Sequence, residues 1–117
     1  MSIIQGNRLR GVSKSIVILD GAGVALVPGA NDKIRVRIGR EGSIDSDPIL
    51  TVSSDGATAA GSSFTKNSPS SGTNRLRLDA TDLDFAAGTY TLAVDYFDNA
   101  DASEWKNVSR QVFVLIE

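Results

Sequence analysis

Apolar and polar residues alternate with a period of two along most of this chain. In KIRVRIGR, residues 33–40, Ile34, Val36 and Ile38 fall on one side and Lys33, Arg35 and Arg37 on the other. In TNRLRLDA, residues 73–80, Leu76 and Leu78 oppose Arg75 and Arg77. In AAGTYTLAVDYFD, residues 86–98, Tyr90, Leu92, Val94 and Tyr96 occupy every second position after Gly88. Such alternation is the mark of strands with one face in a core. The apolar run Ile16–Leu19, the segment VALVPG at 24–29, PILTVSS at 48–54 and the closing EWKNVSRQVFVLIE read as four more strands. The turn DGAG at Asp20–Gly23 and the pair Pro28–Gly29 punctuate them. About seven strands bounded by Gly, Pro, Asp and Asn predict an all-β sandwich or barrel.

Helix is confined to one turn in DATDLDFAAG, with Thr81 or Asp82 as its cap and Gly88 as its stop. The segment Ser53–Thr73 is rich in Ser, Gly and Ala, and Phe64 is its one large apolar residue. It reads either as a flexible loop or as a weak edge strand over Ser62–Lys66 anchored by Phe64.

The last strand sets Val112, Val114 and Ile116 on one face and Phe113 and Leu115, with Trp105, on the other. A strand with one wet face carries polar residues there. Trp105, Phe113 and Leu115 are therefore candidate interface residues, to be covered by Ile3 and Ile4, by the Phe64 loop or by a neighbouring chain.

Tyr90 stands near the start of its strand, just after an apolar anchor (Leu83 or Phe85) and a Gly turn. In immunoglobulin-like sandwiches a tyrosine at this place bonds back to a nearby backbone group. The plainer reading is a buried strand aromatic. Antibody domains carry a cysteine two residues later, where this chain has Leu92. The stretch DLDFAAGTYTLAVDYFDNADASEWKNVSRQVFVLIE, residues 82–117, resembles the C-terminal half of small immunoglobulin-like domains in virion proteins of tailed bacteriophages. NDKIRVRIGR, residues 31–40, resembles their second strand. The resemblance implies an immunoglobulin-like antiparallel sandwich, and a role as a capsid decoration or as a tail or baseplate attachment module. It also implies assembly in the cytoplasm of a bacterial host.

Composition narrows the chemistry. The 117 residues suit one domain, 41% of them hydrophobic and 22% charged. A net charge of −2 supplies no field toward nucleic acid or an anionic membrane. With no cysteine and no histidine there is no disulfide, no Ser-His or Cys-His pair and no usual zinc ligand. No apolar run approaches the ~20 residues that span a bilayer, and the N-terminus lacks a secretory pattern. No cofactor site is legible, and the expectation is a non-enzymatic protein.

Two surfaces remain. Arg35, Arg37, Arg75 and Arg77 are expected to form a basic stripe on adjacent strands, either solvated or seated on an acidic partner. Aromatic residues for base stacking are not interleaved with them. Asp95, Asp98, Asp101 and Glu104 gather in DYFDNADASE, where a solvated turn, calcium binding and docking on another copy are the options. Their spacing does not match the helix-loop-helix calcium loop, so no metal is assigned. The function expected is that of a virion structural protein, foremost a capsid accessory protein binding other virion proteins or copies of itself. The alternatives are a tail or baseplate adaptor holding a fibre, or a carbohydrate- or ligand-binding module.

Overall fold

The computed structural model describes residues 3–7, 9–19, 22–57, 61–68, 70–98 and 105–116. The described strands are β1 (Ile3–Asn7), β2 (Val12–Ile16), β3 (Lys33–Gly39), β4 (Leu50–Ser53), β5 (Gly56–Ala57), β6 (Ser63–Thr65), β7 (Asn74–Leu78), β8 (Gly88–Phe97) and β9 (Lys106–Ile116); β1 and β5 carry no alternation, and β2 ends where the expected run Ile16–Leu19 begins. They form a six-stranded sheet in the order β1-β9-β8-β3-β4-β5 and a three-stranded sheet in the order β2-β7-β6. β1 runs parallel to β9, and the other described pairs are antiparallel. The chain is all-β and sandwich-like.

The core lies between the sheets. The large sheet contributes Ile34, Val36 and Ile38 from β3, Tyr90, Leu92 and Val94 from β8, and Phe113 and Leu115 from β9. The small sheet contributes Ile16, Phe64, Leu76 and Leu78. For β3, β7 and β8 these are the residues that the period-two pattern sets on one face.

Several expectations are corrected here. VALVPG is not a strand: the bridge Leu19–Ala25 and the bond from Leu26 N to the Ile18 carbonyl set it beside the end of β2. Pro28 offers no N–H to a ladder, and the loop beyond it is held by a side chain instead. The Lys66 ammonium donates to the carbonyls of Gly29, Ala30 and Asp32, at 2.5 Å for the last. The helical turn is a 3-10 turn at Ala80–Leu83, and its cap is Asp79, not Thr81 or Asp82. Gly88 opens β8 instead of closing that turn.

Phe64 does anchor an edge strand, β6, where it is 4% exposed. β1 does not cover the outer face of β9. It extends the sheet in plane, and Ile4 joins Phe113 in the core. The β1–β2 corner turns on Gly11 at φ +77°, where a Cβ would stand 2.3 Å from the Leu78 carbonyl oxygen. Only glycine fits that approach.

Candidate interaction surface

Arg35 and Arg37 alternate with Ile34, Val36 and Ile38, so they leave the core side of β3 and stand on the outer face of the large sheet. Across the ladder, Arg35 pairs with Asp95 of β8 and Arg37 with Ala93. Asp95 thus lands between the two guanidinium groups. Arg37 grips it with Nε at 2.5 Å and Nη2 at 2.9 Å, and Arg35 adds Nε at 2.8 Å. The register of β8 and β9 shifts beside Asp95, and that irregularity brings the Asn107 amide to the same carboxylate at 3.1 Å. Asp95 is 1% exposed and Arg37 8%.

The lid over this pair is the connection between β3 and β4. Arg37 Nη1 donates to the Ile44 carbonyl and to Asp45, each at 3.0 Å. Arg110 of β9 holds both oxygens of Asp45, at 2.8 and 3.0 Å, and Thr91 donates to Glu41. Ile44 is 1% exposed yet lies outside the inter-sheet core cluster. Gly39 makes the seat, since a Cβ there would sit 3.3 Å from the Cα atoms of Ile44 and Pro48. The segment is therefore a strap with its own apolar anchor, and it explains why the outward-facing Ala93 is fully buried.

The charges follow from these contacts. Burial alone would push the Asp95 carboxyl up, but hydrogen bonds from Arg37, Arg35 and Asn107 outweigh it and hold it below the ordinary range. The Asp95 bond raises Arg37 in turn. Arg37 and then Arg110 lower Asp45.

The four arginines do not form one stripe. β3 belongs to the large sheet and β7 to the small one, so Arg35 and Arg37 face one side of the sandwich and Arg75 and Arg77 the other. On β7 the arginines are flanked across the ladder by hydroxyls: Ser13 and Ser63 beside Arg77, Ser15 and Thr65 beside Arg75. No two arginines are set opposite each other, so the like-charge conflict expected from a stripe does not arise.

Phe113 and Leu115 are 0% and 1% exposed and belong to the core, which corrects their assignment to an interface. The outward row of β9 is Arg110, Val112, Val114 and Ile116. The acidic cluster is also rearranged. Asp95 is consumed by arginines, Asp98 is exposed at the end of β8, and Asp101 and Glu104 lie outside the described residues.

Trp105 is half-buried just before β9. The Arg35 guanidinium stacks on it, 4.5 Å from the ring centroid. Phe97 meets the same indole at 5.6 Å and carries Lys33 at 5.4 Å on its own ring. Two aromatic rings in contact, each capped by a cation, thus border the Asp95 cluster.

A crevice of about 440 Å³ opens beside Asn31, Asp32, Lys33, Asp55 and Lys66. Its charged groups are engaged structurally. Lys33 pairs with Asp55 at 3.4 Å, and Tyr96 and Gly29 N both donate to Asp32. Burial, and then Asp32, push the Tyr96 phenol well above its ordinary value, so it stays a donor.

Asp45, Arg110, Asn107 and Ile44 are absent from the expectations drawn from sequence. The one local signal was Ile44, a lone large apolar residue in the turn-rich GREGSIDSDP. No protein-family model and no curated protein matches this chain.

Proposed function

We propose that this chain is a non-enzymatic structural component of a phage-like virion, an immunoglobulin-like module that seats on the capsid as an accessory protein through its outward faces. The observation that carries the reading is the corner entering β8. The Tyr90 hydroxyl donates to the Ala86 carbonyl at 2.5 Å, and Phe85 packs edge-on against the ring at 5.0 Å. This is the bond that a tyrosine corner makes, on the stretch that resembles phage virion domains.

The strand order supports the same reading. With β2, β7 and β6 as strands B, E and D, and β9, β8, β3 and β4 as G, F, C and C′, both sheets follow the variable-type arrangement. Surface action is supported by apolar side chains left in solvent. Val17, Leu19, Val24 and Val27 are between 49% and 60% exposed, around the arm that leaves β2. Exposed apolar clusters of this kind mark contact sites. The ionisable groups nearest one another serve mutual pairing, and repeated weak contacts on a lattice would gain strength by avidity.

Mass spectrometry of purified particles tests the proposal. The chain is expected in the particle fraction at a fixed ratio to the main shell protein, and recombinant chain is expected to rebind particles stripped of it. Recovery in the soluble lysate alone, with no rebinding, would overturn it.

A further inference from the structure

We propose that Arg35, braced by Trp105 and Asp95, is a docking site for a carboxylate side chain on the surface of a partner protein. The inference rests on the reading that this chain works through its outward faces, and it names the chemistry that one face recognises.

A row of charges crosses the outer face of the large sheet in the order Arg110, Asp45, Arg37, Asp95, Arg35. Signs alternate along it, and it begins and ends on a cation, so one positive charge is left over in a chain of net charge −2. The surplus is not spread evenly. Arg37 uses Nε, Nη1 and Nη2 on Asp95, Ile44 and Asp45. Arg110 spends Nη2 on both oxygens of Asp45 and Nε on Asn107. Arg35 spends only Nε, on Asp95. Among the described residues, its Nη1 and Nη2 meet no polar partner.

Those free donors are held in place. Asp95, 1% exposed, fixes one edge of the guanidinium, and the indole of Trp105 fixes its plane. The Arg35 side chain is 30% exposed, so the opposite edge reaches solvent. A planar fork already immobilised by packing loses little further freedom on binding. Its two terminal nitrogens match the two oxygens of a carboxylate. Arg and Trp are also the side chains that most often dominate interface energetics. A single fork beside a neutral Lys33–Asp55 pair suits one acidic side chain better than a phosphate backbone.

The chain has one tryptophan, so its fluorescence reports from this site. The full chain is titrated with a capped octaglutamate peptide and, separately, with inorganic phosphate at constant ionic strength. The expected result is a saturable change with the peptide, with phosphate at least about tenfold weaker. Arg35→Lys and Arg35→Gln, each titrated at a temperature where circular dichroism shows it folded, are expected to weaken the peptide at least about tenfold, as the loss of charge-assisted bonds requires. Arg77→Gln on the opposite sheet is expected to leave the titration unchanged. No saturable change overturns the proposal, as does equal binding of phosphate, an unaffected Arg35 variant, or an equal loss in Arg77→Gln. Particle composition does not enter this titration, so failure of the virion reading and failure of the docking site are separate results.

Discussion

Asp95 is the residue on which the outer face of the large sheet depends. A carboxylate this deeply buried is tolerable only because three donors surround it, and removing its charge leaves the buried Arg37 with only the exposed Asp45 as a counter-charge. Asp95→Asn is expected to lower unfolding free energy by about 3–5 kcal/mol, read from urea midpoints at neutral pH. The pH dependence has a definite sign. The folded-state pKa of Asp95 lies below its unfolded value, so the unfolded chain binds the proton first on acidification. The contribution is complete above roughly pH 5 and is lost as pH falls through the depressed folded value. Melting temperatures from pH 7 to 2 should therefore drop more steeply in the natural chain than in Asp95→Asn. Parallel curves would show that the carboxylate contributes nothing.

At the scale of elements, alternation alone made β3, β7 and β8 legible, because each carries a row of apolar residues facing the core. It failed at VALVPG, where four apolar residues in succession carry no face information and Pro28 interrupts pairing. It also misjudged β9, where both faces are apolar near the end and nothing local says which side the core takes. The strap between β3 and β4 was not legible at all. Its turn-rich composition reads as ordinary loop, and its anchors come from Arg37, Thr91 and Arg110, on three different strands. Gly39 is the residue that lets it close. Gly39→Val would bring a Cβ within 3.3 Å of the Cα atoms of Ile44 and Pro48, with two methyl groups still to fit beyond it. The strap should therefore lift while the inter-sheet core stays intact. Limited trypsin digestion reads this: cleavage after Arg40 should be fast in Gly39→Val and slow in the natural chain. Equal rates would mean that the strap is not seated on Gly39.

At the scale of the whole molecule, the two sides of the sandwich carry the same residue type to opposite ends. The sequence presents Arg35–Arg37 and Arg75–Arg77 as twins, because periodicity says which side chains leave a core but not which sheet holds the strand. That assignment is made by pairing between residues far apart in the chain, such as Arg37 with Asp95, which no local pattern encodes. The consequence is measurable. On the small sheet, Arg77 is exposed, Arg75 is half-buried, and the ladder neighbours of both arginines are hydroxyls, so Arg75→Glu with Arg77→Glu changes charge without leaving a buried counter-charge unpaired. Urea denaturation should find its stability within about 0.5 kcal/mol of the natural chain. On the large sheet, Arg37→Glu sets a third carboxylate between Asp95 and Asp45 and removes the cation both depend on. It should lose at least about 3–5 kcal/mol, a large share of the stability a domain of this size holds. If the two variants were equally stable, the charge row on the large sheet would be a solvated decoration. A stable double variant and an unstable single one would place the structural ion pairs on the large sheet and leave the arginines of the small sheet with no part in holding the fold.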